Sequence, residues 1–362
     1  MFKILFVIVI ALLVANYLPK GVDKFDESTR KIVPTATLAP LPFVNEPGPT
    51  KATSFVSNGL EAWVYPGEPA CGALTELSSK KVQVSTLKIE YFTLGTDGVV
   101  KLLDEKSSGC NGFSTTSLNS FKQYAKEIYV TISGHHDDLV AMVKNKTAEK
   151  NVEIIVTFAK ANQLSGVELD IEDFSAWSSA DYEGFKWFVN LLGSKLHVSG
   201  MKLAIDGPAI ANAESQGWYR FKWDDFNNLP VDSFVVMAYD YQVDQGAGSP
   251  ITPSNWLSDV IVWTKTKIND DSKIVVGIPS YGYKATNGSY TARILTAEEI
   301  RKNTTFDKEA VRDTESFELM QKGEKEVVVL CDKACMQYKK KLINSMGIDR
   351  ISVWHLGGND WF

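Results

Sequence analysis

Residues 165 to 174 read SGVELDIEDF, and three acids there, Glu168, Asp170 and Glu172, alternate with Val167, Leu169 and Ile171. Successive side chains of an extended chain point to opposite faces, so the carboxyls share one face and the aliphatics the other. Neighbouring acids on that face stand about 6.6 Å apart along the backbone, near enough for their ionisations to couple. Crowded carboxyls in a partly dry site resist joint ionisation, so one keeps its proton near neutral pH, and a protonated carboxyl is a general acid. Two other readings of the segment stay open: the wet face of an antiparallel sheet, and a carboxylate site for Mg²⁺ or Ca²⁺.

A second segment, SFVVMAYDYQ (233–242), has a matching design. Met237 and Tyr239 share a face and Asp240 ends the expected strand. A phenol and a carboxylate at a strand's carboxyl end can hydrogen-bond a polar ligand.

Such groups need a scaffold. EAWVYP (61–66), STLKIEYFTL (85–94), KEIYVTIS (126–133), GVELDIE (166–172), MKLAIDGPA (201–209), DSFVVMAYD (232–240), KIVVGIPSYG (273–282) and ISVWHL (351–356) read as short apolar strands. Helical patterns such as 181–196 and 255–268 lie between them. Strands separated by helices imply parallel βαβ units, which an open doubly wound sheet or a closed barrel both satisfy. No glycine-rich phosphate loop follows the first strand, so an α/β fold of the (β/α)₈ TIM-barrel type over about 58–362 is expected. In a barrel the aliphatics of 167–171 pack outward against the helices, and Glu172 falls at the carboxyl end, where barrel enzymes place catalytic groups. Residues 284–335 exceed a plain connection and predict a small α+β insertion between strands 7 and 8, followed by a helix over MQYKKKLINSM.

The chain has 362 residues, 44% of them hydrophobic, and a net charge of −6. That balance argues against a nucleic-acid partner, which leaves a basic footprint. An apolar run from Ile4 to Leu18 follows Lys3, short for a bilayer span, and fits either a cleaved export signal or an uncleaved anchor within residues 1–18. A Pro-rich linker over 19–57 would hold the folded part away from a membrane or wall. An extracellular protein, secreted or anchored, is expected. Its four cysteines, Cys71, Cys110, Cys331 and Cys335, agree with an oxidising destination. They allow three pairings, of which Cys71–Cys110 with Cys331–Cys335 is preferred because the second pair is close in sequence. A zinc site is disfavoured, since no second cluster of suitable form exists.

Several segments together resemble glycoside hydrolase family 18, the family of chitinases and related N-acetylglucosaminidases. SGVELDIEDF is similar to its DGxDxDxE signature, VVMAYDY to its M-x-Y-D segment, KIVVGIPSYGY to its seventh strand and ISVWHLGGND to its eighth. VTISG (130–134) is a looser match to its third strand. GSPITPSNWL with KIVVGIPSYGY is similar to the peptidoglycan-acting branch linked to spore germination. The chain departs from the family pattern at Ser133, Ser165, Glu168 and Asp173-Phe174.

The resemblance implies that Glu172 is the proton donor and that Asp170 orients the substrate's acetamido group and stabilises a cyclic intermediate. Tyr239 would hydrogen-bond the acetamido group, Glu168 would complete the catalytic acids, and Met237, Asp240, Tyr281 and Trp354 would hold the sugar. It implies a retaining, substrate-assisted mechanism on β-linked N-acetylglucosamine glycans, with no metal and no cofactor, carried out by a monomer. The alternatives are a lectin on the same barrel that has lost turnover, and a metal-dependent barrel hydrolase.

Overall fold

The computed structural model describes residues 59–67, 70–80, 82–303 and 305–362. The expected signal or anchor over 1–18 and the linker over 19–57 lie outside the described residues. No described helix is long and apolar enough to cross a membrane.

The eight expected strands form, as β1 (Leu60–Val64), β2 (Val84–Leu94), β3 (Ala125–Gly134), β4 (Gly166–Ile171), β5 (Lys202–Pro208), β6 (Ser233–Met237), β7 (Ile274–Pro279) and β8 (Ile351–Trp354). Each pairs in parallel with the next, and β1 pairs with both β2 and β8, so the sheet closes into a barrel. Alternation along each strand sorts its side chains between two cores. Val167, Leu169 and Ile171 point outward into the main apolar core, which also takes in Val189 and Leu192 of the helix Ser179–Val198. Trp63, Tyr129, Ala204, Val235 and Val275 pack together inside the barrel.

The strand ends that carry the expected site residues come earlier than the sequence pattern indicates. β6 stops at Met237, and the bonds from Ala238 N to Val236 O (2.9 Å) and from Tyr239 N to Met237 O (3.0 Å) curl the chain tightly. Asp240 then adopts φ 64°, so Tyr239 and Asp240 sit on a turn above the strand rather than within it. β4 likewise ends at Ile171, one residue before Glu172, and Asp173 turns the chain with φ 59°. A positive φ is uncommon away from glycine, and Asp is among the residues that tolerate it.

The insertion is an antiparallel five-stranded sheet in the order Arg293–Leu295, Gly282–Thr286, Glu326–Leu330, Leu319–Lys322, Val311–Arg312, with short helices at Ala297–Arg301 and Phe306–Glu309. It starts at Gly282, two residues earlier than the sequence pattern indicates, because the continuous apolar run 273–283 hides a break at Ser280-Tyr281 between two sheets. A buried ion pair joins it to the loop after β6. Lys339, on the helix Lys333–Ser345, reaches Glu318 Oε1 at 3.1 Å and donates to Thr252 O (2.6 Å) and Ser316 O (3.0 Å). Glu318 accepts from the Ile251 and Thr252 amides at 2.7 and 2.8 Å, so its charge is fully served. The cysteines pair as Cys71–Cys110 and Cys331–Cys335, with Cα atoms 5.5 and 5.2 Å apart.

Candidate active site

A cleft of about 750 Å³ lies over the carboxyl ends of the strands. Asp170 and Glu172 from β4, Asp206 from β5, Tyr239 and Asp240 after β6, and Trp354 at the end of β8 line it. Its outer wall comes from Tyr65, Pro66 and Gly67 after β1, and Ser107 and Ser108 further on. The Cys71–Cys110 bridge ties these two segments together, and Asn111 Nδ2 adds bonds to Tyr65 O (2.8 Å) and Ala70 O (2.9 Å).

The backbone of Glu172 is fixed from both sides. Its amide donates to Gly134 O on β3 at 2.9 Å, and its carbonyl accepts from Trp177 Nε1 at 2.9 Å. Trp177 is itself locked in an aromatic cluster with Phe174, Phe185 and Phe221. The acid therefore projects from a rigid point. Its side chain is exposed to the cleft.

Electrostatics make Asp170 and Glu172 a proton-sharing pair. Burial, then the neighbouring Glu172, Glu168 and Glu90, push Asp170 well above the ordinary carboxylate range. Burial and then Asp240 raise Glu172, while His135 works the other way. The two carboxyls hydrogen-bond each other, which favours the proton on Asp170 in the free site. Tyr239 faces the same carboxylates, and burial followed by their charges holds its phenol well above its usual value, so it is a hydrogen-bond donor. Its ring lies against Gly277 of β7, where a Cβ would come within 3.0 Å of Cε1, and it stacks on Trp354 with centroids 6.3 Å apart. Asp240 accepts from the Tyr281 hydroxyl and from Gln242 Nε2 (3.1 Å).

Glu168 sits one layer lower, fully buried. It accepts from Trp63 Nε1 (2.8 Å) and Thr131 Oγ1 (2.7 Å), and Lys88 Nζ stands 2.6 Å from its other oxygen. Lys88 also reaches Glu61 at 3.1 Å, and Arg350 closes the chain on Glu61 at 2.7 Å. Burial acts to lower the Lys88 pKa, but Glu168 and Glu61 outweigh it and hold it above the usual value. Burial likewise acts to raise Glu61, and Lys88 with Arg350 overcomes it and lowers that carboxyl.

The fold thus brings Glu172, Asp170, Tyr239, Asp240 and Trp354 to one cleft, with Glu168 beneath them. Tyr281 is fully buried behind Asp240, and Met237 packs against the apolar core rather than lining the cleft. Sequence reasoning missed Lys88, Glu90, Asp206 and His135. Lys88 and Glu90 carried a signal, since they alternate with aliphatics in LKIEYF as the three acids do in VELDIE. Glu90 lines the cleft and accepts from Ser133 Oγ at 2.7 Å. Among the described residues, no three of His, Cys, Asp and Glu are set to hold a metal ion.

Residues 63–360 match the family model described as glycosyl hydrolases family 18. An uncharacterized glycosylase of Bacillus subtilis (strain 168), YvbX, is 26% identical over 262 residues, covering 67% of this chain and 74% of the relative. Among solved structures, a chitinase from Chromobacterium violaceum superposes with TM-score 0.68 at 19% identity, over 83% of this chain and 95% of its own. The Bacillus cereus spore cortex-lytic enzyme SleL superposes with TM-score 0.68 at 18% identity, over 84% of this chain and 72% of its own. These structural likenesses carry the barrel, and the family match carries the chemistry. The chain belongs to glycosyl hydrolases family 18, and it is a glycoside hydrolase.

Proposed function

We propose that the protein hydrolyses β-linked N-acetylglucosamine glycans, chitin oligomers or peptidoglycan, with retention of configuration and with the substrate's own acetamido group as nucleophile. The observation that carries this reading is the hydrogen-bonded Asp170–Glu172 pair at the cleft floor, with the Tyr239 phenol beside it and Trp354 stacked on Tyr239.

Glu172, once it holds the shared proton, gives it to the glycosidic oxygen as that bond breaks. The acetamido oxygen attacks the anomeric carbon from the opposite side, so no enzyme carboxylate needs to bond to the sugar. Asp170, now an anion, faces the positive ring that forms and accepts from the acetamido N–H. Electrostatic stabilisation of developing charge by a preorganised group is the largest single contribution in many enzymes. Tyr239 donates to the acetamido oxygen. Water then attacks the anomeric carbon and the Glu172 carboxylate takes its proton, which returns the site to its first state. The N-terminal apolar run and Pro-rich linker support an exported enzyme, secreted or anchored to the outer face of the membrane.

The test uses matched oligomers bearing N-acetyl, amine or hydroxyl at C2 of the reacting sugar, with proton NMR of the first-formed product. The N-acetyl substrate alone is expected to turn over, to give the β anomer, and to lose at least ~100-fold in rate with Glu172→Gln. An α product, or full activity on the 2-hydroxy substrate, overturns the mechanism. Full activity of Glu172→Gln means that the acid lies elsewhere.

A further inference from the structure

Glu90 is a cleft carboxyl to which the mechanism above gives no task. It lies on β2, and Ser133 Oγ of β3 donates to its Oε1 at 2.7 Å. Ser133 is its one hydrogen-bonding neighbour among the described residues, so Oε2 is left for a ligand. Burial raises its pKa, Ser133 opposes, Glu172 and Glu168 raise it further, and His135 opposes again. Tyr65 on the outer wall shares this part of the cleft, since burial and then the Glu90 charge raise its phenol.

The charges around it are one-sided. Glu90, Asp170, Glu172, Asp206 and Asp240 line the cleft, and among the described residues no lysine or arginine does. The one lining histidine, His135, already has Asp173 at 3.3 Å from its Nδ1. Lys88, beneath the floor, is held between Glu168 and Glu61 at 2.6 and 3.1 Å. A ligand carboxylate entering here meets like charge without a counter-ion, whereas an ammonium offsets the crowding and favours the ionised form of Glu90. A cation also gives the open oxygen a charge-assisted hydrogen bond, about twice as strong as one between neutral groups.

Position assigns that cation to a particular sugar. Asp170 and Tyr239 serve the C2 substituent of the reacting sugar in the reading above. Ser133 stands opposite Asp170 in the β3–β4 register, and Glu90 lies beyond it on β2, across the barrel from β6 and Tyr239. The cleft, about 750 Å³, falls within the range of about 300–1,000 Å³ that holds drug-sized ligands, so a second sugar ring has room. We propose that Glu90 is a specificity-determining residue that accepts a hydrogen bond from a protonated 2-amino group on a sugar adjoining the reacting one. The substrate class is then a partly N-deacetylated N-acetylglucosamine glycan, acetylated where it reacts and bearing a glucosamine ammonium beside that sugar. Glycans with a lactyl carboxylate at that place, as in muramic acid, are poor substrates. The inference rests on the proposed use of the reacting sugar's acetamido group.

The test uses matched β-linked tetramers, with the masses of the fragments showing which bond is cut. One is fully N-acetylated, two carry a single glucosamine on one or the other side of the reacting sugar, and two carry N-acetylmuramic acid at those places. They are assayed at about pH 6, below the ~8 at which an amine of this kind loses its proton. The parent is expected to favour one glucosamine tetramer over the fully acetylated one by about tenfold or more in kcat/KM, and to disfavour the muramic acid tetramer of the same placement. Glu90→Gln keeps an acceptor for Ser133 and removes the charge, and it should bring the glucosamine ratio close to one. Equal kcat/KM of the parent on all the tetramers overturns the inference, as does a glucosamine preference that survives in Glu90→Gln. A loss in Glu90→Gln shared equally by every tetramer makes Glu90 a hydroxyl contact and also overturns it. If Glu90→Gln does not fold, the parent decides: its preference should fade as the pH rises through the amine's pKa, and one indifferent to pH reflects size rather than charge and refutes the inference. Failure of the underlying reading is distinguishable, because a tetramer with its amine on the reacting sugar itself would then be cut as fast as the N-acetyl one.

Discussion

Replacing Lys88 by methionine tests whether the floor beneath Asp170 and Glu172 is held by charge. Met keeps the length and apolar stem of lysine and removes only the ammonium. Glu61 would keep Arg350, whose Nη2 and Nε lie 2.7 and 3.1 Å from its Oε1. Glu168 would not be so protected. It would retain the neutral donors Trp63 and Thr131 and lose its sole cation, while remaining at 0% exposure. Breaking a buried ion pair by deleting one partner destabilises by about 3–5 kcal/mol, because the other charge stays buried without compensation. The variant should therefore lose about 3–5 kcal/mol in urea unfolding, read as a lower midpoint at unchanged slope. The double variant Lys88→Met/Glu168→Leu removes both charges, and it should regain most of that loss, since apolar replacement of a whole buried pair is often neutral. A Lys88→Met variant within about 1 kcal/mol of the parent would refute the view that this lysine holds the charge of Glu168, as would a double variant no better than the single one.

Two further outcomes follow from the same geometry. Glu172 must be protonated to act, and burial with Asp240 raises its pKa above the ordinary 4.5, so the alkaline limb of kcat/KM should lie above pH 4.5; a limb at or below that value removes the proposed acid. The Cys71–Cys110 bridge closes a span of 39 residues, and the chain-entropy relation gives about 4 kcal/mol for it against about 2 for the four-residue Cys331–Cys335 span. Because the first bridge joins the two cleft-wall segments, Cys71→Ser/Cys110→Ser should lower Tm and raise KM, and normal values of both would exclude that role.

The barrel was legible because each of its strands is a compact apolar run, and both the strand count and the helical spacers survived folding. What alternation cannot show is where a strand stops. Tyr239 and Asp240 looked like strand residues because the run 233–240 is unbroken in character, yet the chain leaves the ladder at Met237 and Asp240 takes a left-handed conformation. The acid pair was legible because two residues on one strand fix their own spacing. The Lys88 network was not, since its members Glu61, Lys88, Glu168 and Arg350 come from four places that only barrel closure brings together. Asp206 gave even less warning. A single acid in LAIDGP reads as an interruption of a strand, and its meaning depends wholly on which carboxyls stand across from it.

The departures from the family signature are answered by one another, and that places their effect. Ser165 lies at the amino end of β4, where its amide donates to Ile128 O at 2.9 Å and its carbonyl accepts from Lys202 N at 3.0 Å, so it serves the sheet and stays far from the cleft. Glu168 is one methylene longer than the aspartate it replaces, and its carboxylate is met by Lys88, Trp63 and Thr131, the last set directly opposite it in the β3–β4 register. Ser133 brings a hydroxyl where the family pattern has glycine, and that hydroxyl is the donor to Glu90. A register shift between Glu90 and Phe92 accompanies it, and irregularities of this kind commonly re-aim a side chain beside a site. Burial raises Glu90 first of all, Ser133 opposes it, and Glu172 raises it further, so this carboxyl is electrically coupled to Glu172. Ser133 and Glu90 together build a polar wall beside Glu172, which alters the field around that carboxyl while Gly134 and Trp177 keep its backbone in place.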